Sequence, residues 1–510
     1  MSKPQKNKPA VTVEPQDGHN QRLVGHVHPA DWTNPEPSER YHLVVIGGGT
    51  AGLVSAAGAA GLGAKVALIE SHLMGGDCLN FGCVPSKAVI RAARAWHDAR
   101  HGSRFGAPVA EGEGDFAAVM ERMRKLRADI SKHDSAKRFR GLGVDVYLGE
   151  GRFVAEDAIE VGGQRLDFRR AVVATGGKPF VPPIPGLQEL QPLTNESIFS
   201  LTECPRRLVV IGAGPIGCEL AQSFARLGSE VHLIDMAPQI LPREDDDAAK
   251  VVQAALEREG VVLHLGAKVE KAEKGGGKLV HLDRDGRKTL VEGDEILVAV
   301  GRKPNVDGLG LEAAGIDHDR RGVTVDDHLR TTNKRVFACG DVASAFQFTH
   351  TADAQARIVL RNALFPLGRA KNSDLVIPWC TYTSPEIAHV GLYAGEAEEK
   401  GYGVETITIP LADCDRAILD GETEGFLRIH LKKGSDRILG ATFVAEHAGE
   451  SISELTLAIT AEIGLEKLAS TIHPYPTQAE AIKKAADTFM RGKLTSTTKT
   501  VLDKYFDFTE

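Results

Sequence analysis

Cysteine is scarce in this chain. The 510 residues hold seven: Cys78, Cys83, Cys204, Cys218, Cys339, Cys380 and Cys414. An odd and sparse set excludes a secreted disulfide scaffold. Aromatic residues are few as well, at 5%, yet 42% of the chain is hydrophobic, which can build large cores and excludes wholesale disorder. Neither sign of charge dominates. The 61 basic and 69 acidic side chains leave a net −8, which favours solubility and gives no reason to expect nucleic acid or an anionic membrane as partner. Long apolar runs are missing. The longest stretch, 43–69, is broken by glycines and by Lys65, so no segment reads as a membrane span. The N-terminal MSKPQKNKPAVTVEPQ has lysines but no apolar core, so no signal peptide is expected and the cytoplasm is the expected location.

What the chain has in excess is glycine, 54 of 510 residues, against a usual share of about 7%. The glycines have no three-residue period, which excludes collagen. They gather instead at strand ends. Residues 1–40 are polar and Pro-rich and read as a tail or strap; metal capture by its His19, His26 and His28 is set below a solvated tail because no metal-ligand spacing is completed. At Tyr41 the pattern changes. YHLVVIGGG is a buried strand running into glycines, an Ala-rich helix follows over 50–62, and AKVALIE is a second strand. The same order returns in RLVVIGAGPIGCELAQSFARLGSEVHLID, 207–235. Gly47, Gly49 and Gly52 make one GxGxxG, and Gly212, Gly214 and Gly217 the other. Each first glycine precedes an acid by the same interval, 47 to Glu70 and 212 to Asp235.

The physics of a dinucleotide explains both copies. The first glycine permits a tight turn, the second lets backbone approach a pyrophosphate, and the third lets helix and strand pack closely. The helix N-terminus then offers free N–H groups and a positive dipole end to the phosphates. The acid accepts hydrogen bonds from a ribose hydroxyl. Two such units imply two dinucleotides, and a protein that holds two usually passes electrons between them. Further strands end at glycine turns: AVVATGG with Thr175 and Gly176, ILVAVGRKPN with Gly301 and Arg302, and VFACGDVA with Gly340 and Asp341. Segments 146–168 and 261–295 read as β meanders. From about residue 376 the strands ETITIPL, GFLRIHL and ILGATFVAE, followed by helices near 448–463 and 477–491, predict an α+β domain with an antiparallel sheet.

Immediately after the first acid comes GGDCLNFGCVPSK, residues 75–87, including Gly76. On an ideal helix Cys78 and Cys83 would have Cα atoms roughly 8–9 Å apart, whereas a disulfide needs about 4.4–6.8 Å. A bond between them demands a distorted turn, which Gly82 permits. A cysteine pair at this place suggests catalytic thiols rather than a structural staple. The alternative is two buried core cysteines.

With these motifs in order over about 41–490, the sequence resembles the class I pyridine nucleotide-disulfide oxidoreductases, which include dihydrolipoyl dehydrogenase, glutathione reductase and mercuric reductase. The resemblance implies an α/β architecture of two Rossmann-like dinucleotide-binding domains plus a C-terminal α+β dimerisation domain. The boundaries are 1–40 for the tail, 41–185 with 306–375 for FAD, 186–305 for NAD(P), and 376–510 for dimerisation. Cys83 would be the thiol facing the flavin and Cys78 the interchange thiol that meets substrate. Lys87 resembles the lysine near the flavin and Glu219 the glutamate that pairs with it. Asp341 resembles the acid that holds the ribityl chain. Electrons would pass from NAD(P)H to FAD, then to the Cys78–Cys83 disulfide, then to substrate, or in reverse.

Disulfide reductases of this family carry His-Pro-Thr with a Glu five residues after the His. Here the segment is IHPYPTQAE, with Glu480 in place, Tyr475 in the histidine slot and His473 two residues earlier. A phenol with a pKa of about 10 is a poor base at neutral pH. Tyrosine at this slot is similar to mercuric reductase, as is DRAILDGETEGFLRI at 415–429. The tail TKTVLDKYFDFTE lacks the vicinal cysteines of mercuric reductases, so Hg(II), which favours thiolates, would meet Cys78 and Cys83 directly. The remaining five cysteines read as small core residues. Asp235 would repel a 2′-phosphate, and no Arg or Lys lies between it and Arg243, so NADH is expected over NADPH. The leading expectation is a homodimeric flavoenzyme that reduces a metal ion or a disulfide. Dihydrolipoyl dehydrogenase activity through His473 and a low-turnover flavoprotein redox sensor are the alternatives.

Overall fold

The computed structural model describes residues 11–112, 114–367 and 369–509. They form two compact units. One holds the chain up to Gly212, with Ser223–Met236 and Ala267–Leu375; the other holds Ala213–Gln222, Ala237–Gly266 and the chain from Val376.

The first unit is built on the strand Tyr41–Ile46. Its run of apolar residues predicts a strand covered on both faces, and Leu43, Val44 and Val45 are fully buried. Val66–Glu70 pairs parallel on one side of it and Gln164–Val173 parallel on the other. Val144–Leu148 extends the sheet beyond Val66–Glu70, and Val336–Ala338 lies parallel against Gln164–Val173. The strands that end at Ile46, Glu70, Val173 and Ala338 therefore deliver their carboxyl ends, and the glycines that follow, to one edge of the sheet. Of the meander expected over 146–168, Gly151–Ala155, Ala158–Val161 and Gln164–Val173 are antiparallel neighbours, whereas Val144–Leu148 is a parallel strand. The second glycine motif opens on Arg207–Ile211, which pairs parallel with Glu230–Asp235 and with Glu295–Val298. Lys268–Lys274, Lys278–Arg284 and Arg287–Gly293 form the expected antiparallel meander.

The N-terminal segment packs as a strap rather than extending as a solvated tail. Met1–Ala10 lie outside the described residues, but 11–40 are no solvated tail. Gly18–Val27 is a helix capped by Asp17, and Val13, Leu23 and Val27 join the core that holds Leu43, Val45, Leu73 and Met74. Burying each such side chain contributes about 1.5–3 kcal/mol. Polar composition masked this because two apolar residues four apart on one face, Leu23 and Val27, suffice to seat a ten-residue helix.

The second unit is an α+β assembly. Its antiparallel sheet runs in the order Pro378–Thr381, Glu386–Gly391, Ile438–Ala445, Phe426–Lys432, Val404–Pro410. The central strand Ile438–Ala445 is buried along its whole length. The helices Ala448–Thr460 and Glu480–Gly492 pack their apolar faces on this sheet. Among the described residues no helix is long and apolar enough to cross a membrane.

Candidate active site

The first glycine turn is built as dinucleotide chemistry demands. A Cβ on Gly47, whose φ is +107°, would lie 2.2 Å from the Ala174 carbonyl oxygen; one on Gly52 would lie 1.8 Å from the Gly47 carbonyl oxygen. The helix Thr50–Gly61 follows, with Gly49 as N-cap and no side chain bonded to its first turn. Its free N–H groups suit phosphate. Glu70, at the end of the next strand, is buried, and its carboxylate accepts from Gly48 N at 2.6 Å and His72 N at 2.7 Å. Burial pushes its pKa up and these backbone bonds oppose the rise. An uncapped helix end, two glycines that exclude any Cβ and an acid one strand away fit the adenosine diphosphate half of FAD.

The cysteine loop touches this cradle. A Cβ on Gly76 would come within 2.6 Å of Gly49 Cα. Cys78 sits on the short helix Gly76–Asn80. Phe81 and Gly82 break the helix, and Cys83 opens the helix Cys83–Arg100. The pair therefore occupies two helices rather than one, which is the distorted turn that the spacing required. Both are thiols here. The Cys83 pKa is lowered to about 6, first by a hydrogen bond from Cys78, then by Thr349 and the Lys87 ammonium, against the opposing effect of burial. The Cys78 pKa is pushed up, chiefly by that same bond and by burial. The pairing favours the thiolate on Cys83 and the proton on Cys78. Thr349 Oγ1 lies 3.2 Å from Cys83 Sγ. A thiolate beside a thiol on a helix N-terminus can exchange with a disulfide or bind a soft metal.

A second cluster closes the loop from the other side. Arg302 Nη1 lies 3.2 Å from Asp77 Oδ2, its Nε 3.3 Å from Asp341 Oδ2, and its Nη2 donates to the Gly177 carbonyl at 2.6 Å. Asp77 also accepts from Asn195 Nδ2 at 2.9 Å. Burial raises the Asp341 pKa, and Arg302 opposes this. Thr175 Oγ1 donates to the Asn305 carbonyl at 2.7 Å, and Gly176 accepts from Asn305 N at 2.9 Å. Gly301 and Gly340 hold φ of +129° and +78°, and Gly340 N donates to Gln355 at 2.9 Å. The three strand-end motifs are thus brought together by Arg302 and Asn305. Thr349, Asp77 and Asn195 were not read from the sequence. Asp77 alone had a local signal, as the neighbour of Cys78; Thr349 reaches Cys83 only through the fold.

In the second glycine motif, Gly212 repeats the opening residue of the first. Gly212 has φ +108°, its N–H donates to the Ile234 carbonyl at 2.8 Å, and a Cβ would lie 2.6 Å from the Ala299 carbonyl oxygen. Asp235 ends the strand Glu230–Asp235. Gly214, Gly217 and Glu219 belong to the second unit, where Glu219 is buried and accepts from Tyr382 N at 2.9 Å. In the same unit Tyr475 is 69% exposed and donates to Asp415 at 2.7 Å. His473 Nε2 lies 2.8 Å from Glu454 Oε1, and its Nδ1 3.2 Å from the Thr471 carbonyl. Glu480 opens the helix Glu480–Gly492, 3.4 Å from Lys484. Of the remaining cysteines, Cys218, Cys339 and Cys414 are buried, while Cys204 and Cys380 are half-buried.

Residues 41–356 match the family described as pyridine nucleotide-disulphide oxidoreductase, and residues 377–486 match its dimerisation domain. Mercuric reductase of Bacillus cereus is 38% identical over 458 residues, covering 89% of this chain and 72% of that one. Dihydrolipoyl dehydrogenase of Thermus scotoductus is 36% identical over 461 residues, covering 88% and 97%. Among solved structures, the Cu(II) complex of the HOCl-induced flavoprotein disulfide reductase RclA from Escherichia coli superposes with a TM-score of 0.78 at 28% identity, covering 87% of this chain and 98% of that one. Likeness of this extent settles the family: this protein belongs to the pyridine nucleotide-disulphide oxidoreductases and is a flavin enzyme linked to NAD(P)H.

Proposed function

We propose that the protein is an FAD-dependent NADH oxidoreductase that reduces a soft metal ion of the Hg(II) class through Cys78 and Cys83. The observation that carries this is the placement of Cys83 at a helix N-terminus, beside Cys78 and 3.2 Å from Thr349 Oγ1, an arrangement that lowers its thiol pKa. When bound, FAD supplies two-electron transfer between the nicotinamide and the thiol pair. The chain's own residues do the rest. Glu70 and the turn from Gly47 to Gly52 hold the adenosine end, and Asp341 the ribityl end. Arg302 fixes Asp341 against Asp77, and Lys87 favours the anionic form of Cys83. NADH and a proton convert the Cys78–Cys83 disulfide to two thiols and NAD+. The two thiolates then bind the metal ion, return two electrons to it and close the disulfide, releasing two protons. Thiolate is the ligand such an ion selects. Tyr475, an exposed phenol already donating to Asp415, is suited to hold a metal or its ligands and not to take a proton at neutral pH.

Several further assignments belong to the same reading. Asp235 at its strand end supports NADH over NADPH, with kcat/KM higher for NADH by about tenfold or more. The match to a dimerisation domain supports a homodimer. We place it in the cytoplasm on its sparse cysteine content. Residues 1–40 form an N-terminal segment, 41–185 with 306–375 hold FAD, 186–305 hold the nicotinamide and 376–510 dimerise.

The second reading is dihydrolipoyl dehydrogenase activity. It is favoured by the His473–Glu454 pair, which could hold an imidazole as base. An NADH-oxidation screen over Hg(II), Cu(II), lipoamide and glutathione disulfide decides between them. Hg(II)-dependent oxidation lost in Cys78→Ser supports the first reading. Lipoamide turnover that falls in His473→Ala replaces it with the second, and normal FAD loading with no acceptor reduced at all points to a redox sensor.

A further inference from the structure

The ordered segment before residue 41 lies outside the family match. That segment reaches the thiol loop by two polar routes. In the first, Asn20 Oδ1 accepts from Arg127 Nη2 at 2.7 Å, and Arg127 Nη1 donates to the Asn80 carbonyl at 2.6 Å. Asn20, Arg127 and Asn80 are 1%, 1% and 0% exposed. Asn80 is the last residue of the helix that carries Cys78, and its side-chain amide ties back to the Met74 and Gly76 carbonyls at 3.1 and 2.8 Å. In the second route, the Val27 carbonyl accepts from Met74 N at 3.2 Å, and His28 engages the His72 carbonyl. The loop from His72 to Asn80 is therefore held at both ends by the helix Gly18–Val27 and its flank.

Arg127 is an expensive way to do this. Among the described residues no carboxylate is hydrogen-bonded to it, and burial pulls its pKa down to about 10. A buried cation costs several kcal/mol unless its surroundings compensate. Compensation comes from the Asn80 carbonyl, one of the orphan acceptors at a helix C-terminus where positive charge is favoured. A neutral donor would satisfy that carbonyl. A planar guanidinium fixes direction as well, with one nitrogen on the loop and another on Asn20. Asn20 is in turn held by the Asp17 cap, which accepts from Asn20 N at 2.8 Å and takes Arg124 Nε at 2.6 Å.

We propose that the helix Gly18–Val27 is a brace for the thiol loop and that Arg127, oriented by Asn20, is a positioning residue that holds Cys78 against Cys83. The proposal rests on the reading of that pair as redox-active. A braced loop keeps the two sulfurs at high effective concentration and so favours the disulfide.

The test equilibrates the FAD-loaded, full-length enzyme with dithiothreitol, where protein disulfide plus reduced reagent gives protein dithiol plus oxidised reagent. Asn20→Leu is expected to raise the dithiol-to-disulfide ratio about tenfold at unchanged flavin content. The long-wavelength absorbance of the NADH-reduced enzyme is expected to fall by half or more. Asn20→Asp keeps an oxygen for Arg127 and is expected to restore both. An unmoved ratio in Asn20→Leu overturns the brace, as does an Asn20→Asp variant that behaves like Asn20→Leu. Should Asn20→Leu fail to fold, Asp17→Asn keeps a capping side chain but removes the Arg124 ion pair; a shift of about threefold supports the brace and no shift overturns it. A wild-type enzyme that forms no Cys78–Cys83 disulfide overturns the thiol-pair reading and the brace together. A wild type that forms one, with unmoved variants, overturns the brace alone.

Discussion

With its thiol drawn down to about 6, Cys83 is ionised at neutral pH while Cys78 keeps its proton. The sign of the pH dependence follows. A lowered thiol pKa leaves the thiolate present above pH 6 and removes it as pH falls through that value. Long-wavelength thiolate–flavin absorbance in the reduced enzyme is therefore expected to titrate away near pH 6, and to be absent at all pH in Cys83→Ser. Cys78→Ala removes the hydrogen bond that lowers Cys83 most, so its absorbance persists but titrates at higher pH. Thr349→Val removes a weaker bond to the same thiolate, worth about 1–1.5 kcal/mol, and is expected to raise the midpoint by about one unit. A spectrophotometric pH titration of the four proteins reads all of this. Thr349 contacts Cys83 across 266 residues of chain, and no local pattern announces such a pairing.

At the scale of the element, the glycine turns are where sequence and geometry agree most closely. Gly52 repeats Gly47's demand in a different form: its Cβ would meet the Gly47 carbonyl oxygen at 1.8 Å, and backbone cannot move aside there. Gly52→Ala is expected to destabilise the unit by at least about 2 kcal/mol and to lower FAD content sharply, as read by flavin absorbance per chain and by thermal unfolding. Glu70→Ala should be milder for the fold and still weaken FAD binding about tenfold or more, since Gly48 N and His72 N both lose their acceptor. The break at Phe81 and Gly82 belongs to this scale as well. Five-residue spacing on one helix would have kept the cysteines apart, and the break places each on its own helix.

At the scale of the molecule, the second unit leaves large apolar side chains in water. Leu419, Leu457 and Ile472 are 67%, 63% and 95% exposed. Exposed apolar surface in a domain that matches a dimerisation family is what a second copy would cover. For the proposed homodimer, Ile472→Asp is expected to shift sedimentation toward monomer while leaving FAD content unchanged.

The sequence by itself determined the strand–turn–helix order, both glycine motifs, the acids at 70 and 235, the thiol pair and the α+β C-terminal part. These are local, because turn geometry, strand alternation and phosphate approach each impose a residue type at a short spacing. Tertiary structure alone decided how residues far apart in the chain converge. It set Thr349 on Cys83, placed Arg302 between Asp77 and Asp341, and seated a polar N-terminal segment on the core through Val13, Leu23 and Val27. The reason is that a charge or a hydroxyl carries no mark of its partner. Burial and distance assign one, and they exist only once the chain has folded.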